Sequence, residues 1–264
     1  MDETRLPLTE HLDELRGRLV KCIAAWVVGS ALAWTWAQEI FGFLLAPAVN
    51  ALGHGRPLLA IAPAEIFFTY LKCAMLAGLV LALPVVFWQA WSFIAPGLYH
   101  KEKRAALPFA AVSTLLFVSG AVFGYLAIFP AMFKFFASFD SDFVQSAWTM
   151  HEVFGLTTSM FLAFGAAFEI PVVVYFLAIG GIVDVKTLLR GTPYAILIIF
   201  IVAAVLTPSP DWVSQVLLAV PMVGLYVLGI VAAWLFGGSR ARGAAPASEE
   251  TALAPASDHP PSAV

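Results

Sequence analysis

Six long apolar runs constrain this chain more than any other feature of its sequence. A helical run of about 20 apolar residues can cross the ~30 Å hydrocarbon core of a bilayer. The composition agrees, because 61% of the residues are hydrophobic and only 12% are charged. The sequence therefore predicts an all-α membrane protein with six transmembrane helices in one domain, residues 1–236. The runs cover residues 20–37, 70–95, 107–129, 156–180, 193–207 and 211–236.

The positive charges alternate between the two ends of this predicted bundle. Of the 14 lysines and arginines, only Arg56, Lys72 and Lys134 fall on the side opposite to the chain termini. Cytoplasmic loops carry an excess of Lys and Arg, so we expect both termini in the cytoplasm. We call the cytoplasmic side of the bundle the inner end and the opposite side the outer end.

The segments around the spans differ in character. Residues 8–19 carry a leucine stripe at helical spacing, which predicts an amphipathic helix that lies on the inner surface and leads into span 1. Residues 38–64 and 130–154 are expected to form interfacial caps at the outer end. The tail, residues 237–264, is rich in Ala, Pro, Ser and Glu and is expected to be disordered.

Spans 5 and 6 are expected to be short. Counted from Pro193 to Leu206, span 5 has about 14 residues and a length of ~21 Å. In the connection LTPSPDWVSQ, Ser209 is expected to cap the helix of span 6, with Asp211 at its positive start. Thr207, Asp211 and Gln215 then form a polar cluster at membrane depth. Capping accounts for Asp211 but leaves Gln215 unexplained.

Glu169 places a carboxylate near the middle of span 4. An acidic side chain at the bilayer centre costs about 2.5–3.5 kcal/mol on insertion scales. Pro171 lacks an amide hydrogen, so we expect a kink that leaves the carbonyls near 166–167 without amide partners. Two interpretations stay open: a neutral glutamic acid that joins two helices, and a polar site that faces a cavity or a partner helix.

The sequence contains no recognisable catalytic motif. It lacks a GxxxxGK[ST] phosphate loop, HExxH, GxSxG and Cys/His metal spacing, which argues against an enzyme. The remaining charged candidates are Glu14 and Glu102, which lie among cations at the inner end. Each can be an ordinary paired surface charge. As a pair, they would suit a ligand with two adjacent guanidinium groups, each held by a bidentate carboxylate contact.

Several stretches match a known family in order and in topological position over residues 8–236. The chain resembles the TatC family, the receptor subunit of the twin-arginine protein translocase. Together the stretches are highly specific, although no single one would be. They are HLDELRGRL (11–19), the proline of LAP (Pro47), FIAPGLYHKEKR (93–104), FGAAFEIP (164–171), LTPSPDWVSQ (206–215) and PMVGLY (221–226).

The resemblance implies a cupped six-helix bundle in the bacterial cytoplasmic (inner) membrane. It implies a receptor for the twin-arginine signal peptides of folded passenger proteins, which are exported with the energy of the proton gradient. The implied partners are the single-span subunits TatA and TatB, further copies of the chain and the lipid membrane. No cofactor and no nucleic acid are implied.

The resemblance also assigns roles to individual residues. Glu14 and Glu102 match the acids proposed to engage the arginine pair, and Glu169 matches the family's intramembrane glutamate. Thr207 and Gln215 match polar positions used by the single-span partners. Pro47 matches the proline of the first outer segment. The inner-end motif stretches also contain Leu15, Arg16, Arg18, Phe93 and Tyr99.

One position departs from the family pattern, and two other classes of function remain alternatives. The family commonly carries an acid soon after the Leu-Tyr pair of span 6, where this chain has Val227. A small-solute secondary transporter would need an internal repeat, and residues 1–130 and 131–236 show no convincing one. A purely structural scaffold would not require Glu14 and Glu102.

Overall fold

The computed structural model folds as a bundle of α-helices. It describes residues 8–53, 57–98, 106–141, 143, 145–179, 182–206 and 211–237. Tyr99, Glu102, Thr207 and residues 238–264 of the predicted tail lie outside these ranges. Within the described residues there is no β-strand, and one backbone bridge pairs Leu59 with Thr149.

Nine α-helices account for most of the described residues. A 3-10 turn, Trp34–Trp36, links the first two helices, and a π-helical segment, Gly124–Ile128, links the fourth and fifth. In chain order the α-helices are α1 Leu8–Ala33, α2 Ala37–Leu52, α3 Pro63–Leu98, α4 Ala106–Phe123, α5 Phe129–Ala137, α6 Met150–Ala167, α7 Ile170–Ile179, α8 Val185–Leu206 and α9 Trp212–Gly237.

Six helical segments are long and apolar enough to cross a membrane, which confirms the predicted fold class. In the fourth segment, half of the apolar window is buried, whereas only 11% is buried in the first and the fifth. Span 4 therefore lies in the middle of the bundle, with spans 1 and 5 at its periphery. The segments are Leu12–Leu52, Pro63–Ile94, Leu107–Ala137, Met150–Ala178, Val185–Leu206 and Trp212–Leu235.

The N-terminal segment that the sequence predicts as an amphipathic surface helix is continuous with span 1. α1 runs without a break through 26 residues, or ~39 Å at 1.5 Å per residue. Residues 8–19 therefore continue directly into the helix of span 1, and their position on the inner membrane surface stays a prediction. A leucine stripe determines which face of a helix is apolar but does not determine where its axis bends.

Span 5 also differs from the prediction. α8 has 22 residues, about 33 Å of helix, so a 14-residue helix that begins at Pro193 is wrong. Pro193 lies inside α8, where it removes only the hydrogen bond to the carbonyl four residues earlier. The added residues include Lys186 and Arg190.

α1 and α3 cross where glycines let their backbones approach. A Cβ atom built on Gly29 would lie 2.7 Å from the carbonyl oxygen of Gly78, and one built on Gly78 would meet the backbone of Ser30. The indole N–H of Trp26 donates to the Met75 carbonyl at 2.8 Å beside this crossing. The pairing of these two helices positions the inner ends of both.

The predicted caps at the outer end are tied to each other. The Leu59 amide donates to the Trp148 carbonyl at 3.0 Å, and the Met150 amide donates to the Leu59 carbonyl at 2.8 Å. Glu65 reinforces this contact, because its carboxylate accepts from the Ile61 amide at 2.7 Å and from the His151 amide at 2.9 Å. Glu65 therefore joins the start of α3 to the start of α6.

Candidate functional site

The inner end of the bundle brings together parts of two predicted motifs. Glu14 accepts two hydrogen bonds from Arg18, one from Nε at 3.0 Å and one from Nη2 at 2.7 Å. The same guanidinium reaches α3, where Nη1 donates to Gln89 Oε1 at 3.2 Å and Nη2 donates to the Ser92 carbonyl at 3.3 Å. Arg18 thus holds the Glu14 carboxylate in a defined position next to the last turns of α3.

The other predicted residues of this end have different surroundings. Leu15 and Arg16 follow Glu14 on α1 and are exposed, and Phe93 on α3 is half-buried next to Ser92. The structure therefore places Glu14, Arg18 and the segment that contains Phe93 in one region. Glu102 and Tyr99 lie outside the described residues, so their position relative to Glu14 stays a prediction.

Gln89 is a further residue of this region, and none of the predicted motifs contains it. It lies in the apolar stretch WQAWSFIAP, near the inner end of α3, and its side chain and carbonyl both face Arg18. A side-chain amide between tryptophans at the inner end of a span is a sequence feature that could have marked this residue as a candidate. Its contact with Arg18 could be recognised only from the folded structure, because the two residues are 71 positions apart in the sequence.

Glu169 lies where span 4 is broken, as the sequence predicts. α6 ends at Ala167 and α7 begins at Ile170. The Glu169 amide turns back to the Ala166 carbonyl at 3.1 Å. That carbonyl therefore has an amide partner, contrary to our expectation that the kink would leave it without one.

The Glu169 side chain reaches a polar group inside the bundle. The Ser113 hydroxyl of α4 interacts with its carboxyl group, and that hydroxyl also accepts from Trp91 Nε1 at 2.9 Å. The Oε1 atom of Glu169 is buried and has no hydrogen-bond partner in the described chain. An orphaned buried oxygen costs about 1–3 kcal/mol, so this position is polar without being fully satisfied.

The hairpin between α8 and α9 uses both predicted polar residues that the structure describes. Asp211 caps α9, because its Oδ1 accepts from the Ser214 amide at 2.7 Å; the cap predicted at Ser209 lies outside the described residues. Gln215 Nε2 donates to the Phe200 carbonyl of α8 at 3.0 Å. Gln215, which capping left unexplained, thus fastens α9 to α8.

The missing amide hydrogen of Pro47 accounts for a hydrogen bond between two helical segments at the outer end. It lies buried inside α2, and because proline has no amide hydrogen, the carbonyl of Phe43 four residues earlier loses its helical partner. The hydroxyl of Tyr125 donates to that carbonyl at 2.7 Å. Pro47 thus provides an acceptor through which the π-helical segment before α5 holds α2.

These observations define a class: an all-helical, multi-pass membrane protein with an arginine-held carboxylate at one end and a buried glutamate at a helix break. Among the described residues, no cluster of His, Cys, Asp and Glu could hold a metal ion.

Comparison with known proteins narrows this class. The family model described as Sec-independent protein translocase protein (TatC) matches residues 10–221. The chain is 44% identical over 236 residues to the TatC protein of Desulforapulum autotrophicum, which covers 89% of this chain and 87% of that one. It is 37% identical over 228 residues to TatC of Escherichia coli K12, covering 86% and 88%.

A solved structure agrees with the sequence comparisons. A crystal structure described as the twin-arginine translocase receptor TatC superposes with a TM-score of 0.77 at 34% identity, covering 85% of this chain and 98% of that one. The chain belongs to the TatC family, the protein family of the Sec-independent translocase.

Proposed function

We propose that this chain is the receptor component of a twin-arginine translocase, and that its inner end binds the signal peptides of folded passenger proteins. The observation that carries the proposal is the Glu14 carboxylate, oriented by Arg18 against α3. Because Arg18 already restricts the Glu14 side chain, this carboxylate loses less conformational entropy on binding a ligand than an unrestrained carboxylate would. Glu14 and Glu102 each engage one arginine of the pair, beside Leu15, Arg16, Phe93 and Tyr99.

The remaining predicted residues serve the assembly and the transport step. Glu169, with its orphaned oxygen, faces a cavity or a partner helix. Pro47 and the hairpin residues Thr207, Asp211 and Gln215 form contacts with the single-span subunits TatA and TatB. Copies of the chain associate in a larger complex of the bacterial cytoplasmic membrane, with both termini in the cytoplasm. The chain catalyses no chemical reaction, and the proton gradient drives export.

Binding of a fluorescent signal peptide to the detergent-purified chain tests this proposal. Lysine keeps the positive charge of arginine but lacks the planar fork that matches a carboxylate. An Arg-Arg peptide should therefore bind at least tenfold more tightly than a Lys-Lys peptide, about 1.4 kcal/mol. The difference should disappear in Glu14→Gln/Glu102→Gln.

A second variant tests the role of the α1–α3 contact. Gln89→Met removes the amide that faces Arg18 and keeps a side chain of similar length. It should weaken Arg-Arg binding less than Glu14→Gln does, because Arg18 keeps its bonds to Glu14 and Ser92. Equal binding of the two peptides to the unmodified chain would refute the receptor assignment.

A further inference from the structure

A groove near the outer end has no role in the proposed receptor site. It has a volume of about 370 Å³ and lies between α1, α3 and α6. Polar groups, Lys72, His151 and Thr158, share it with an apolar wall. That wall includes Leu76, Leu79 and Leu162.

Lys72 is a cation placed within a membrane-spanning helix. It lies nine residues after the start of α3, about 14 Å along the helix axis. Its side chain is exposed, and no ion pair joins it to any described residue. A lysine at this depth extends its ammonium group toward the interface and requires an anion or water there.

The acid that helical spacing places on the same face of α3 as Lys72 is already engaged by other groups. Glu65 precedes Lys72 by two helical turns on the same face of α3. Its carboxylate accepts from the amides of Ile61, Ala62 and His151, and the imidazole of His151 also lies close enough to interact with it. Glu65 thus serves the contact between the two caps and forms no ion pair with Lys72.

Thr158 is a second unexplained group in the same groove. A threonine within a helix commonly donates to the carbonyl four residues earlier, as Thr157 does to Val153 at 2.8 Å. The Thr158 hydroxyl oxygen is instead buried without a partner in the described chain. Lys72 and Thr158 are on different helices, and both lack partners at one cavity, which indicates a bound molecule rich in oxygen atoms.

The shape of the groove indicates what else that molecule contains. Its wall beyond the polar groups is apolar, and the helix faces beside it, at Val27 and Met75, are exposed. Gly155 on α6 lines the groove without a side chain, and a Cβ atom built there meets nothing within 4 Å, so the groove is open at this point. The occupant must combine an anion with a hydrocarbon chain.

We propose that this groove binds one membrane phospholipid. Its phosphate contacts the Lys72 ammonium group, an ester carbonyl accepts from the Thr158 hydroxyl, and an acyl chain lies along Leu76, Leu79 and Leu162. A phospholipid supplies both the anion and the chain in one molecule, and the bilayer presents it at high concentration. The alternative anion is a carboxylate of a partner helix, but this carboxylate would have to be transferred out of water before it could contact Lys72.

Photolabelling of the protein in dodecylmaltoside, a detergent without phosphate, tests this proposal. The probe is phosphatidylglycerol with a diazirine in one acyl chain, and labelled peptides are identified by mass spectrometry. Labelling of residues 76–79 and 162 should fall at least fivefold in Lys72→Gln and remain in Lys72→Arg. The matched diacylglycerol probe lacks the phosphate and should label these residues at least fivefold less than the phospholipid does.

Two controls separate the groove from general lipid contact. Gly155→Leu fills the groove without changing charge and should reduce labelling as Lys72→Gln does. Lys186→Gln and Gly42→Leu make the same substitutions at positions outside the groove and should leave the labelling of the groove residues unchanged. Equal labelling by the two probes, or undiminished labelling in Lys72→Gln, would overturn the proposal and favour a partner helix. Lys72→Gln decides the matter alone if Gly155→Leu does not fold.

Discussion

The crossing of α1 and α3 offers the sharpest test of how this bundle is held together. Replacing Gly78 by alanine adds a single methyl group. That methyl would lie 2.5 Å from the Ser30 Cα and closer still to its amide nitrogen. Carbon atoms rest at about 3.5–4.0 Å, so α1 must move away from α3 by about 1 Å. The obstacle is backbone, which no rotamer change can relieve.

The expected cost follows from two opposing terms. Overpacking of this kind typically costs about 1–3 kcal/mol, while exchange of glycine for alanine within a helix favours folding by up to about 1 kcal/mol. The net destabilisation is therefore about 1–2 kcal/mol. Gly42→Ala isolates the second term, because a Cβ atom there meets nothing within 4 Å. Gly78→Ala should therefore lower stability, whereas Gly42→Ala should leave it unchanged or raise it.

Thermal unfolding of the detergent-solubilised protein measures both variants. One kcal/mol shifts Tm by about 2–4 °C in a chain of this size range, so Gly78→Ala should lower Tm by about 4 °C. Gly42→Ala should leave it unchanged or raise it. Arg-Arg peptide binding should weaken in Gly78→Ala as well, because the crossing sets the distance between Arg18 and Gln89. A Tm equal to that of Gly42→Ala would refute the reasoning.

Two further substitutions test the polar contacts inside the bundle. Glu169→Ala should insert and fold normally but impair transport of a twin-arginine passenger; a variant that fails to accumulate would support a structural role instead. Tyr125→Phe should destabilise the chain by about 1 kcal/mol through loss of one hydrogen bond. That cost should shrink when Pro47→Ala restores an amide partner for the Phe43 carbonyl, and an equal cost in both backgrounds in chemical unfolding would contradict this account.

The positions of the helices were largely predictable from the sequence. Each of the six apolar runs overlaps one of the six membrane-length segments, and the break before Pro171 occurs at Phe168 and Glu169. These features depend on residues close together in the chain, such as a proline that removes one amide from a helix. The error at the start of span 5 also has a local cause, because Pro193 removes too few hydrogen bonds to end a helix.

The contacts of the candidate site were much less predictable. Glu65 lies seven residues before Lys72, but the sequence did not indicate that Glu65 joins the His151 amide of another span. Gln215 was recognised as polar and unexplained, and its partner proved to be a backbone carbonyl of α8. In each case the residue type indicated that the side chain needs a polar partner, but the sequence did not predict which group that partner is.

The sequence by itself determined the membrane class, the number of spans and the residues whose polarity needs a reason. Hydropathy and helix breaking depend on residues within one or a few helical turns, so both can be recognised from the order of neighbouring residues in the sequence. Only the tertiary structure decided which of these residues meet, such as Arg18 with Gln89 and Tyr125 with the Phe43 carbonyl. Those contacts join residues 71 and 82 positions apart, and they depend on how closely helices pack, which glycines such as Gly78 control.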